Sequence, residues 1–253
     1  ELLKALDKPG KECLLLLINK VWKEGSVAAV WKEVTIIPIF KKGDREDTNC
    51  YRGISLIAAT GKLVERMVKN RLESLIEKAQ SIVQDSQFGF TAGKSTRDAM
   101  FLLSQLSEKS MQAGATLSVL FLDLEKAFDK VPRKPLFEIL RRHGVPPGLL
   151  AVIVSFHENA SARVRLEGGR LSSAFELTIG LKQGSVISPI LFRLYFACVI
   201  LAAQRQFAEK NLGIALEFQD DLELSGPSKL KPWREMFISS LEFADDAALA
   251  ASS

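Results

Sequence analysis

The sequence predicts an α+β fold, with strands at 116–124 and 237–243 in a central sheet and helices packed on one side. Three observations carry this. Apolar residues recur at helical spacing across 61–79. The β-branched run EVTIIPIF at 33–40 and the apolar run TLSVLFLDL at 116–124 have strand length and composition. The segment SARVRLEGGRLSSAFELT alternates on both sides of Gly168-Gly169, as a β-hairpin does.

Taken in order, residues 11–22 are apolar at helical spacing and stop near Gly25. The strand at 33–40 runs into the charged turn KKGDRED at 41–47. The helix at 61–79 places Leu63, Val64, Met67, Val68, Leu72, Leu75 and Ile76 on its apolar side. Lys62, Arg66 and Lys69 recur at i, i+4, i+7 on another side, a stripe that is most often simply solvated. Ser95 followed by Asp98 is a helix start. The continuous apolar character of 116–124 predicts a central, buried strand. Helices follow at 133–142, closed by Gly144, and at 147–157, and Ser188-Pro189 opens another that runs to about 207. Residues 213–236, with Pro227 and Pro232, read as irregular. His143 and His157 read as surface helix residues without a role.

Composition is that of a globular chain, 47% hydrophobic and 25% charged, long enough for one large domain or two subdomains. The net charge of +4 is uneven: residues 1–150 hold 24 Lys/Arg against 18 Asp/Glu, and the remainder 10 against 12. A basic first part beside an acidic last part fits a polyanion-binding surface next to a cation site, and fits a chance imbalance on a solvated surface equally well. Cys13, Cys50 and Cys198 are odd in number, widely spaced and form no CxxC pair, which argues against a disulfide framework or zinc site and for a reducing compartment. The longest apolar stretch, LFRLYFACVILAA at 191–203, is short of a membrane span and carries Arg193, so no membrane partner is expected. No signal peptide is visible, and the opening ELLKALDKPG lacks Met, as in a piece of a longer protein.

The segment SLEFADDAALAAS at 240–252 places Asp245 and Asp246 side by side among small apolar residues. Adjacent carboxylates repel, and burying one without a partner is costly. Asp123 stands at the end of the most apolar strand. If the two strands are neighbours, Asp123, Asp245 and Asp246 converge into a set of hard oxygen donors suited to magnesium. Two ions about 4 Å apart would relieve the repulsion and clamp an in-line phosphoryl displacement. A lone Asp at a strand end is otherwise a common turn or cap residue.

Two further stretches point to a phosphate-bearing ligand. GLKQGSVISP at 180–189 sets glycines around Lys182-Gln183 ahead of a helix N-terminus, where a ligand can approach the backbone closely. FKKGDREDTNCYRGIS at 40–55 brings Lys41, Lys42 and Arg52 together if it folds as a hairpin, and such residues can grip a triphosphate. Alone, the first is weak evidence against a plain strand-to-helix loop, and a Lys-Lys turn is more often mere solvent-exposed charge.

In order, IIPIFKKGDREDTNCYRGISLIAATGKLVERMVKNRL, QFGFTAGKSTRDAMF, FLDLEKAFDKVP, GLKQGSVISPILF and FADDAAL resemble the successive blocks of reverse transcriptases of non-LTR, LINE-type retrotransposons, from about residue 15 to the end. The resemblance implies a right-hand polymerase fold: an N-terminal helical extension at 1–32, fingers at 33–115, and a palm at 116–253 with an antiparallel sheet, helices packed on one face and an irregular insert at 213–236. The thumb lies outside these residues. The implied activity is RNA-directed DNA polymerisation. A primer 3′-hydroxyl attacks the α-phosphorus of a dNTP and pyrophosphate leaves, with two Mg2+ ions, or Mn2+ in their place, as cofactors. RNA template, DNA primer and dNTPs are the implied partners, and an intracellular setting, cytoplasm and nucleus, is expected. By the resemblance, Asp123, Asp245, Asp246 and the Leu124 backbone are metal ligands, the three aspartates being catalytic. Phe128 would be the bulky gate that excludes a 2′-hydroxyl. Lys41, Lys42, Arg52, Gln183 and Gly184 would contact the nucleotide, and Lys62, Arg66, Lys69 and Lys94 the nucleic acid.

Departures from the family pattern are Gly53 in place of a proline, Thr91 in place of an arginine, FRLY for FNLY, and an acidic EFQDDLELSG where relatives carry a basic segment. With only seven residues after Asp246, the strand beyond the aspartate pair is expected to be barely present. Two other readings stand beside the polymerase core: an inactive remnant that binds RNA at most, and a palm-domain RNA polymerase, which Phe128 disfavours.

Overall fold

A computed structural model describes residues 5–79, 87–112, 114–209, 214–218, 234–238, 240–244 and 246–252. In chain order the elements are α1 (Lys8–Glu24), β1 (Glu33–Phe40), β2 (Tyr51–Leu56), α2 (Ala59–Ala79), α3 (Thr96–Gln112), β3 (Leu117–Asp123), α4 (Arg133–Arg142), α5 (Pro147–His157), β4 (Ser161–Val164), β5 (Phe175–Glu176), α6 (Ser188–Glu209), β6 (Ile214–Phe218), β7 (Arg234–Ile238), β8 (Ser240–Phe243) and β9 (Asp246–Ser252). They form two compact units that interleave along the chain, Glu1–Ile82 with Lys126–Tyr195, and Val83–Glu125 with Phe196–Ser253.

The first unit is built on a four-stranded sheet in the order β2-β1-β4-β5. β1 and β2 form the expected hairpin, antiparallel with Phe40 opposite Tyr51, and β4 joins β1 in parallel. Val34, Ile36 and Ala162 alternate onto one face and pack with Ile57 and Leu177. On α2, Val64, Val68 and Leu72 are spaced four apart on one stripe and are fully buried, as the periodicity predicts. Leu136 and Leu140 of α4 and Val152, Ile153 and Phe156 of α5 are buried in the same unit. Trp31 stacks on Phe156 at 6.4 Å, and its indole N–H donates to the Thr60 hydroxyl at 2.9 Å. That bond lets a large polar-tipped ring sit 2% exposed without an unmet donor.

The second unit holds a three-stranded antiparallel sheet in the order β3-β9-β8. α3 packs on one face, with Leu106 against Phe88, Leu241 and Ala248. The helix starts as expected: the Ser95 amide and hydroxyl both donate to the Asp98 carboxylate, at 2.7 and 2.8 Å.

Four expectations are corrected. The apolar strand at 116–124 is β3, but among the described residues it lies at the sheet edge, and Leu120 and Phe121 stay 57% and 69% exposed. The seven residues after Asp246, expected to be barely a strand, form β9 and occupy the centre of the sheet. Its Ala-rich sequence has little strand preference of its own; ladders on both sides supply the order. The insert at 213–236 is not wholly irregular, because its ends, β6 and β7, pair as an antiparallel hairpin with Ile214 opposite Ile238; residues 219–233 lie outside the described residues. His157 is not a surface residue. It is 2% exposed, its Nδ1–H donates to the Ile153 carbonyl at 2.8 Å, and its ring packs edge-on against Phe137. No helix among the described residues is long and apolar enough to cross a membrane.

Burial, with Lys182 and Arg133 nearby, pushes the His157 pKa down to about 4. Between that value and the ordinary histidine value near 6.5 the unfolded chain binds a proton that the folded chain does not. Stability is therefore full above about pH 6.5 and falls as the pH drops towards 4, by roughly 3 kcal/mol at most. Thermal melts at pH 7 and pH 4.5 should show this loss in the native chain and a smaller one in His157→Gln.

Candidate active site

The carboxylates come from the β3–β9 ladder. Asp123 ends β3, Asp246 opens β9, and the two are direct register partners. Directly opposed residues have Cβ atoms about 5 Å apart, so the two carboxylates share one end of the sheet. Both are exposed. Alternation carries them onto the face of Leu117, Val119 and Ala248, which α3 covers. They line the mouth of a cavity of about 350 Å³ together with Ala99, Met100 and Leu103 of α3 and Phe121 of β3. Two hard oxygen donors at one exposed strand end fit a divalent cation. Asp245 lies outside the described residues, as the third of the predicted ligands. Leu124 follows β3 directly and is 38% exposed.

The turn before Asp246 is buttressed by a segment the sequence reading did not assign to the site. Ala244 takes a left-handed conformation, φ 57°, unusual for a residue with a Cβ. Gln87 bridges to Glu242, and the Phe88 amide donates to the Glu242 carbonyl at 2.8 Å, so residues 87–89 run along β8. A Cβ on Gly89 would stand 1.9 Å from the Ala244 nitrogen and 2.7 Å from its Cα. Only glycine lets these backbones approach so closely. The signal in the sequence was the QFGF segment, read there only as part of a family block.

The phosphate-directed candidates lie in the first unit. Lys41 and Lys42 follow β1, Arg52 sits in β2 opposite Ile39, and all three are exposed on one hairpin as expected. The loop of Gln183 and Gly184 is pinned along its length. Arg133 opens the clamp: Nε donates to the Gly180 carbonyl at 3.0 Å, and the guanidinium also reaches the carbonyls of His157, Leu177 and Ile179. Gly180 has φ 82° and sits so near Asp129 that a Cβ would be 2.4 Å from its carbonyl oxygen. Lys182 turns inward, 6% exposed, and donates to the Phe156 carbonyl at 3.0 Å. Its burial pushes the pKa down to about 8, against the opposing pull of Glu65. The Ser55 amide donates to the Gln183 carbonyl at 2.7 Å, and Gly184, φ 109°, packs against the Ser55 carbonyl. Glu65 of α2 accepts from the Ser185 hydroxyl at 3.0 Å and the Val186 amide at 2.7 Å.

Phe128 is joined to this loop, since its carbonyl accepts from the Leu181 amide at 2.8 Å and its ring stacks on Phe192 at 4.5 Å. The Gln183 side-chain amide donates to the Asp129 carboxylate at 3.1 and 3.2 Å. Among the nucleic-acid candidates, Lys69 is already bonded to Glu73 at 3.0 Å, Lys62 is half-buried, Arg66 is exposed, and the Lys94 ammonium lies 5.1 Å from the Phe88 ring centroid. Sequence reasoning missed Gly89, Glu65, Arg133 and Asp129. Each of them acts through contacts with residues distant in the chain.

Residues 39–253 match the family described as reverse transcriptase (RNA-dependent DNA polymerase). The chain is 32% identical over 199 residues to the RNA-directed DNA polymerase from mobile element jockey of Drosophila melanogaster, covering 76% of this chain and 21% of that protein. It is 28% identical over 223 residues to the probable RNA-directed DNA polymerase from transposon BS of the same species, covering 88% of this chain and 24% of that protein. The chain thus spans about a fifth to a quarter of these relatives. A solved structure of apo telomerase from Candida tropicalis, truncated from its C-terminal domain, superposes with a TM-score of 0.60 at 13% identity, over 96% of this chain and 49% of that one. At that identity the likeness concerns the fold.

Gly89→Ala should cost more than about 3 kcal/mol, because neither contacting group is a side chain that can swing away. Urea denaturation of the variant against the native chain measures it, with Gly93→Ala, where nothing stands within 4 Å, as the comparison.

Proposed function

The chain belongs to the reverse transcriptase (RNA-dependent DNA polymerase) family, and from that premise we propose that it is the catalytic core of a non-LTR retrotransposon polymerase that extends a DNA primer along an RNA template. The observation that supports this best is the register of Asp123 opposite Asp246 at an exposed strand end. The residues divide the work according to their chemistry. Asp123, Asp245 and Asp246, with the Leu124 carbonyl, hold divalent cations, Mg2+ in pairs or Mn2+ in their place. Such a cation lowers the pKa of the primer 3′-hydroxyl and neutralises charge on the transferring phosphoryl group.

Lys41, Lys42 and Arg52, exposed on the β1–β2 hairpin, grip the triphosphate. Gln183 and Gly184 contact the nucleotide from a loop whose backbone is held in advance, so little order is lost when substrate arrives. Phe128, stiffened by its stack on Phe192, excludes the 2′-hydroxyl and selects dNTPs. Lys62 and Arg66, with the more heavily engaged Lys69 and Lys94, supply backbone contacts to template. An intracellular setting in cytoplasm and nucleus completes the reading.

Primer extension on an RNA template tests it: dNTPs should be incorporated and NTPs should not, and Asp123→Asn should reduce the rate by at least about a thousandfold. Added Mg2+ should raise the melting temperature of the native chain and leave Asp123→Asn/Asp246→Asn unchanged. Extension that survives in Asp123→Asn would overturn the assignment.

A further inference from the structure

Glu65 lies in the apolar side of α2, between Val64 and Val68, and is 1% exposed. A leucine would serve packing at this position. A carboxylate there is costly, and burial pushes its pKa up. What it gains is two hydrogen bonds to one short stretch, from the Val186 amide and the Ser185 hydroxyl, with Lys182 and Lys62 adding opposite charge. The Ser185 oxygen also accepts from the Ile187 amide at 3.3 Å, so the carboxylate organises the last turn of chain before α6 opens at Ser188. Gln183 and Gly184 therefore hang among several anchors: Arg133 behind Gly180, Lys182 on the Phe156 carbonyl, the Ser55 backbone and the Asp129 carboxylate in the middle, and Glu65 in front. The front anchor joins the loop to α2 through the Glu65 carboxylate, which holds both a backbone amide and the Ser185 hydroxyl.

We infer that Glu65 is a positioning residue for the incoming nucleotide: through Val186 and Ser185 it sets where the backbone of Gln183 and Gly184 stands, and so how tightly a dNTP is held. The inference rests on the proposed nucleotide role of that loop. It also links α2 to the strand that carries Arg52, because the Ser55 amide is bonded to the Gln183 carbonyl.

The test is steady-state primer extension at varied dNTP concentration, with amide hydrogen exchange read alongside. Glu65→Ala should raise the KM for dNTP on the order of tenfold while kcat changes by less than about threefold, because the loop is displaced and the carboxylate ligands are not. Glu65→Gln keeps an oxygen for the Val186 amide and should restore most of the native KM. Exchange at the Val186 amide should quicken in Glu65→Ala and remain native at the buried helix residue Ile153. If Glu65→Ala does not fold, Ser185→Ala removes a single hydroxyl and should raise the KM by about threefold. An active Glu65→Ala enzyme with native KM, or equal losses of kcat in the Ala and Gln variants, overturns the inference and leaves the polymerase reading standing. A native chain that extends no primer while Val186 exchange still depends on Glu65 overturns the polymerase reading, and with it the nucleotide role of the loop.

Discussion

Everything in the carboxylate site depends on one backbone ladder, the antiparallel pairing of β3 with β9. Seven consecutive register pairs from Leu117–Ser252 to Asp123–Asp246 leave no freedom at the end of the sheet. Carboxylates brought face to face repel, and nothing in two isolated strands would keep them there. The ladder does so because β9 is bonded on both edges, to β3 and to β8, and slipping by one residue would turn every side chain to the other face. The repulsion is thus imposed by the fold.

The first unit solves a related problem with buried charge. Its loop at 177–187 has little regular structure, yet it must not wander. Arg133, Lys182 and Glu65 each bury a charged group against loop or neighbouring backbone, and the loop glycines accept conformations that would be strained in any other residue. Charged groups make strong hydrogen bonds, and they are expensive to leave unpaired, so alternative loop positions are heavily disfavoured. Rigidity is obtained without a strand or helix. Burial in that shared interior is what lowers the pKa values of Lys182 and His157.

Local signals in the sequence were read correctly where one element sufficed to explain them. The apolar stripe of α2, the Ser95–Asp98 start of α3 and the hairpin of β1 and β2 were all legible. The apolar run of β3 misled, because apolar residues on both faces imply burial on both faces, and Leu120 and Phe121 remain exposed. β9 misled in the opposite sense: the few residues after Asp246 were expected to make barely a strand, yet ladders to β3 and β8 on both sides order them. His157 looked like a helix-end surface residue; the packing of Phe137 over it decided otherwise.

By itself the sequence determined the family, singled out the candidate site side chains, and placed most element boundaries. Those follow from residue type, spacing and local hydrogen bonding, which are written along the chain. Tertiary structure alone decided that Asp123 faces Asp246, that Gly89 must lack a side chain beside Ala244, and that Glu65 reaches Val186 from 121 residues away. Each is a contact between segments remote in sequence. Its energy depends on where two backbones meet, and no periodicity within either segment encodes that meeting.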